Sequence, residues 1–163
     1  MKTLVLAVAA CAVLAVSVAA APTETSFFSP PRELVYYGHV TAVKRVGAGF
    51  EVRVDPAIWL TGESANRAAR EDKVIPAGEP VPNDYYVRED GHRLLTFFAA
   101  PGARATVLTY AGQILSTRVP LTELAEIVKG RNPKKRKLYE PKNGYWIRVA
   151  GDRALTLDQQ YTP

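Results

Sequence analysis

Gly47-Ala48-Gly49-Phe50-Glu51-Val52-Arg53-Val54-Asp55 decides the fold class. Phe50, Val52 and Val54 alternate with Glu51, Arg53 and Asp55, which puts an apolar row on one face and a charged row on the other. That period of two belongs to a β-strand with one buried face. Leu34 to Lys44, just upstream, is rich in Val, Tyr and Thr and shows no helical stripe. Two such runs joined by a Gly-bearing turn predict a β-hairpin. Asp55-Pro56 then reads as the end of its second strand, because Pro cannot donate to a ladder.

Further runs of the same kind follow. Arg93 to Phe98 carries Leu94, Leu95, Phe97 and Phe98. Pro101-Gly102 reads as a turn, Ala105 to Thr109 as a returning strand and Ile114 to Val119 as another short strand. Tyr145 to Val149 and Ala154 to Leu157 flank Gly151-Asp152, a pair suited to a tight hairpin turn. Leu121, Leu124, Ala125 and Val128 fall at i, i+3, i+4 and i+7, the apolar face of a helix, with Pro120 at its start and Gly130 at its stop. Ser64 to Glu71 is a second, Ala-rich helix, which Ser64 would cap and which would lie shallowly on the barrel. Between them, Val74 to Gly91 is Pro- and Gly-rich and reads as an ordered loop draped over the domain. The expected architecture is mostly β with one or two short helices, a small β-barrel of OB-like order. A split barrel or a small sandwich with an accessory helix would leave the same trace.

The chain has 163 residues and opens with Met1-Lys2 followed by an apolar run from Thr3 to Ala21. A basic start, an apolar middle and small residues at the end describe a secretory signal peptide over residues 1–21. The mature protein is then expected to be secreted, without a transmembrane span. Val8-Ala9-Ala10-Cys11 offers the alternative of a lipoprotein anchored through Cys11. Residues 22–32, with Pro22, Pro30 and Pro31, read as a tether, and 33–163 as one β-barrel domain. Loss of the signal removes Met1 and Cys11, the only Met and Cys. No disulfide is then possible, and stability must come from an apolar core. Lys2 leaves as well, so the net charge falls from +5 to +4. A mildly basic secreted protein permits an anionic partner without demanding one.

One pattern carries a resemblance. Trp59-Leu60-Thr61-Gly62, Ala65-Asn66, Val81-Pro82-Asn83-Asp84-Tyr85-Tyr86-Val87, Tyr145-Trp146-Ile147 and Leu157-Asp158-Gln159-Gln160-Tyr161 together resemble a family of small secreted bacterial proteins to which no function is attached. The likeness spans most of the mature domain. It implies export from a bacterium and carries over no catalytic residue or ligand.

The residue inventory argues against familiar enzyme classes. Mature Ser are Ser26, Ser29, Ser64 and Ser116, none in a nucleophile elbow. There are two His, His39 and His92, far apart in sequence. Zinc hydrolases usually offer several, so no metal site and no cofactor is implied. Two constellations remain. Asp84, Tyr85, Tyr86 and His92 share one loop, and with His39 they could line a ligand pocket. Turn chemistry and barrel-covering tyrosines account for the same loop without a ligand. Arg131, Lys134, Lys135, Arg136 and Lys137 form a cationic run that could bind an anionic polymer in a salt-dependent way. A charge run is usually a solvated loop that keeps the protein soluble, and a nucleic-acid role sits badly with export. Trp59, between Ile58 and Leu60, reads as a core residue. The first expectation is a secreted, non-enzymatic binding or structural module meeting an anionic cell-wall polymer or an extracellular protein. A small hydrolase using carboxylates or His from the 84–92 loop is the second. An extracellular inhibitor or accessory protein is the third.

Overall fold

The computed structural model describes residues 32–89, 91 and 93–162. The stretch read as a signal, the stretch read as a tether except Arg32, and His92 lie outside the described residues. The element order is β1 (Glu33–Val46), β2 (Gly49–Thr61), α1 (Gly62–Glu71), a 3-10 turn (Pro82–Asp84), β3 (Tyr85–Glu89), β4 (Leu95–Tyr110), β5 (Ile114–Val119), α2 (Leu121–Val128), β6 (Tyr145–Ala150) and β7 (Arg153–Gln159).

Five strands close on themselves as a mixed barrel. β1 pairs antiparallel with β2 and β6, β6 with β7, and β2 with β4. β7 closes the ring by pairing parallel to β4. The protein is therefore mostly β with two short helices. The alternation in β2 sets its register, since Phe50, Val52 and Val54 are buried inside while Arg53 faces water. Val107, Ile147, Val149 and Leu157 complete the interior, and Leu121, Leu124 and Ile127 of α2 pack into the same core. Each fully buried side chain of this size contributes roughly 1.5–3 kcal/mol. β1 carries a bulge between Val40 and Ala42, where the Thr41 hydroxyl donates to the Arg53 carbonyl at 3.3 Å. The extra residue lets Val40 and Val43, three apart, both reach the core, and it bends β1 around the barrel.

Several expectations change. β2 does not end at Asp55-Pro56 but runs on to Thr61. Beyond Ala57 it leaves β1, and from Ala57 onward it pairs with β3, which occupies Tyr85–Glu89 inside the stretch read as a loop. Pro101-Gly102 makes no hairpin. It is a bend in the 16-residue β4, between Ala99 and Arg104 in the β7 register. The two halves of β4 pair with different strands, 95–99 with β2 and 105–110 with β5, so no return strand is needed. Ser64 is not a cap. It is the third residue of α1, and its hydroxyl donates to the Thr61 carbonyl at 2.9 Å. α1 packs chiefly on the β2–β3 extension. Ala65 and Ala69 meet Val81, Leu60, Ile75 and Tyr86 in a second, smaller cluster. Among the described residues no helix is long and apolar enough to cross a membrane.

Candidate binding site

Past Pro56, β2 and β3 form a flap with two faces. On one face Leu60 and Tyr86 lie under α1. On the other, Trp59, Tyr85 and Glu89 join side chains from β1 and β6. Register explains the meeting: Tyr37 pairs with both Ala57 and Trp146, Trp59 with Val87, and Thr61 with Tyr85.

The result is a four-ring wall. Trp59 stacks on Tyr85 with centroids 4.4 Å apart and planes 5° from parallel. Tyr37 meets Trp59 edge-on at 5.0 Å, and Trp146 lies 5.0 Å from Tyr37 and 5.8 Å from Trp59. Such pairs add about 0.5–1.5 kcal/mol each beyond their burial. Trp146 Nε1 donates to Gln160 Oε1 at 2.8 Å, which fixes its ring. Trp59 is thus only half-buried, at the surface end of β2, rather than a core residue. Gly144 has no side chain because its backbone lies directly against the Tyr37 ring and hydroxyl.

Two hollows flank the wall. The polar one, about 400 Å³, is lined by Tyr37, His39, Asn83, Tyr85, Glu89 and Asn143 among others. His39 bridges it. Its Nδ1 lies 3.2 Å from the Lys142 carbonyl oxygen and its Nε2 3.0 Å from Glu89 Oε1. Both ring nitrogens of His39 are thus held against oxygen atoms of neighbouring residues, which fixes the ring across the hollow. Burial, and then the nearby Glu89 charge, push the Tyr37 phenol up to about 12. The second hollow is larger, about 670 Å³, and apolar. Val35, Tyr37, Ile58, Trp59 and Trp146 line it, with Arg93 as its charged residue. Val35 and Ile58 there are 58% and 42% exposed.

The structure brings some predicted residues together. His39 and Tyr85 both line the polar hollow. Tyr86 borders it too, but its hydroxyl donates to Asp72 Oδ2 at 3.0 Å, on the α1 side. Asp84 is exposed, takes a left-handed φ of 57°, and lines neither hollow. His92, the remaining residue of that expectation, lies outside the described residues. Sequence reasoning passed over Tyr37 as a wall member, Glu89 as the partner of His39, and both tryptophans as neighbours. Alternation within Tyr85-Tyr86-Val87-Arg88-Glu89 was the available signal for the strand that brings Glu89 there.

The cationic run is divided. Arg131 donates to Glu126 and holds that carboxyl below the usual carboxylate range. Arg136 Nε sits 2.5 Å from Glu123 Oε1, a carboxylate buried on α2. Asn132 closes the turn between them, accepting the Arg136 N–H at 2.9 Å. Lys134, Lys135 and Lys137 remain exposed, with no ion pair among the described residues. On the flap, Arg88 pairs with Asp72 at 2.6 Å and Glu71 at 3.0 Å, and its hydrogen bond draws the Asp72 carboxyl down.

Among the described residues no group of three or more His, Cys, Asp or Glu is placed to hold a metal ion. Comparison of the chain with family models, with curated proteins and with solved structures found no match.

Proposed function

We propose that the chain is an exported, non-enzymatic binding module built on an OB-like barrel, and that it holds its ligand against Trp59, Tyr37 and Trp146 of the aromatic wall. The observation that carries this reading is the apolar cleft of about 670 Å³, which leaves large hydrophobic side chains facing water. Exposed apolar surface of this kind marks a contact site more often than an accident of folding.

The OB label draws support from topology. Numbered by barrel position, the strands run 1-2-3-5-4 and back to 1, with one parallel contact between the third and fifth. A helix sits between the third and fourth. Barrels of this type take polymers on an outer strand face and the adjoining loops. Here the 47–48 and 151–152 turns are too short to grip a ligand, and the wall lies instead where β2 leaves the barrel. The export reading rests on the N-terminal apolar run and on the resemblance carried by the sequence pattern. In that setting Lys134, Lys135 and Lys137 add a weak attraction to an anionic surface, without a shaped pocket. The hydrolase reading is weaker, because both ring nitrogens of His39 face oxygen partners and, among the described residues, no Ser lines either hollow.

The test uses the chain's own reporters. It contains two tryptophans, and both line the cleft. Tryptophan emission of the folded protein is followed during titration with oligogalacturonate, poly(glycerol phosphate) and an array of short extended peptides. A saturable shift with at least one class is expected. Unchanged emission with all three, at intact circular dichroism, overturns the reading.

A further inference from the structure

We infer that the cleft is a slot for one β-strand of a partner protein, inserted between the diverging ends of β1 and β2; this rests on the binding reading above and names its ligand. The geometry is that of a ladder opened from one end. β1 and β2 pair from Val46–Gly49 only as far as Tyr37–Ala57. Beyond that point β1 follows β6, to which Glu33–Gly38 are paired, and β2 follows β3, to which Ala57–Thr61 are paired. Each strand therefore keeps one partner and loses the other. Among the described residues, Glu33–Tyr36 of β1 and Ile58–Thr61 of β2 have no strand on the edges that face each other.

Two free edges facing one cleft are unusual because each is a template for another chain. Proteins blunt such edges with Lys, Pro, a bulge or a cover. Neither four-residue edge, Glu-Leu-Val-Tyr or Ile-Trp-Leu-Thr, carries a Lys, a Pro or a bulge. The bulge of β1 and the Pro of β2 both fall on the paired side of the opening.

The lining selects among ligand classes. A glycan needs many side-chain donors and acceptors, whereas the cleft lining among the described residues is mainly apolar and aromatic, with Arg93 its charged residue. A peptide strand needs the free backbone edges, plus apolar ground for alternate side chains. Val35, Ile58, Trp59 and Trp146 supply the ground. Four residues of strand extend for about 13 Å, the length of the free edges. Because β1 and β2 are antiparallel, the inserted strand runs parallel to one and antiparallel to the other. Arg93 favours a carboxylate on the partner. The ligand is thus a short extended segment with β-branched or aromatic residues at alternate positions and an acidic residue at one end.

The experiment uses acetylated hexapeptides that alternate Thr with Val, Ile, Leu or Phe and carry Asp at either end. Tryptophan emission reports occupancy. The tightest peptide is compared with a copy N-methylated at alternate amides, which keeps every side chain but cannot pair on one edge. Ile58→Lys, at an exposed position, is compared with wild type. The inference expects at least tenfold weaker binding in both comparisons. N-methylated peptide binding as well as its parent overturns it. Emission moved by oligogalacturonate or poly(glycerol phosphate) but by no peptide also overturns it, while leaving the binding module standing. Silence with every probe overturns both.

Discussion

Replacing Arg136 with Met separates a structural cation from a binding one. The Glu123 side chain is 3% exposed and that of Arg136 29%, so water reaches the guanidinium but not the carboxylate. Met keeps the aliphatic stem and removes only the charge. It strands a buried anion, and breaking a buried pair in this way costs about 3–5 kcal/mol. Solvent at the Arg136 end places the expected loss near the bottom of that range, about 3 kcal/mol. A domain of this size is stable by roughly 5–15 kcal/mol, so the melting temperature should fall by about 10 °C. The mirror substitution behaves differently. Glu123→Gln leaves a cation that can turn to solvent, and should cost about 1 kcal/mol. The double variant should be more stable than Arg136→Met alone, because the orphaned charge is gone. Urea unfolding followed by tryptophan emission measures all three. If Arg136→Met loses less than about 1 kcal/mol, or the double variant is no better than that single, the pair does not anchor the basic loop to α2.

Three further outcomes follow from the same structure. The Tyr145 hydroxyl is buried without a hydrogen-bond partner among the described residues, so Tyr145→Phe should leave stability unchanged or raise it by up to about 1 kcal/mol; a clear loss in urea would mean that the hydroxyl is satisfied. Tyr37 titrates at about 12 in the fold against an ordinary 10.0. A raised folded value means that its contribution is complete below pH 10 and lost as pH climbs through 12. The tyrosinate absorbance of wild type minus Tyr37→Phe should accordingly step near 12, and a step near 10 would refute the burial argument. Changing Lys134, Lys135 and Lys137 to Gln should advance elution from a sulfated matrix at low salt without altering the unfolding midpoint, whereas unchanged elution removes the electrostatic role of the loop.

How much of this was legible depended on how local each determinant is. The Phe50–Val54 alternation, the Leu121–Val128 stripe and the Gly151-Asp152 turn act within a few residues, and each appears where its pattern places it. Pro101-Gly102 and Pro56 misled for a shared reason. Proline chemistry specifies a local break in pairing, but only the tertiary fold decides whether the chain turns back or carries on to a new partner. β4 and β2 both carry on. Ser64 has the residue type of a cap, yet Gly62, with a φ of 55°, starts the helix two residues sooner. In the site, His39 and Tyr85 were visible as chemistry-bearing types. Their company was not, because Trp59, Trp146 and Glu89 reach them only through cross-strand register. The cationic run shows the opposite failure. Its composition is plain in the sequence, but the carboxylates that engage Arg131 and Arg136 lie on α2.

The cleft opens just past Pro56 of β2, where β1 and β2 stop pairing. At Pro56 β2 loses a ladder donor, and opposite it Gly38 lets the β1 backbone lie hard against Asp55 and Pro56. The two strands are pressed together at that point and pair no further than the next residues. Beyond it, pairing with β3 and the small core under α1 draw β2 one way, while β6 holds β1 in the barrel. Closing the gap would require β2 to abandon β3 and uncover Ala65, Ala69 and Val81, or β1 to abandon β6 and open the barrel. Neither core can yield without losing buried apolar surface, so the opening is maintained by packing on both sides and does not depend on a ligand. A site held open in this way is preorganised, and less of its binding energy is spent on ordering the protein. The Pro56 that reads as the end of a strand sits one residue before the point where the two strands part.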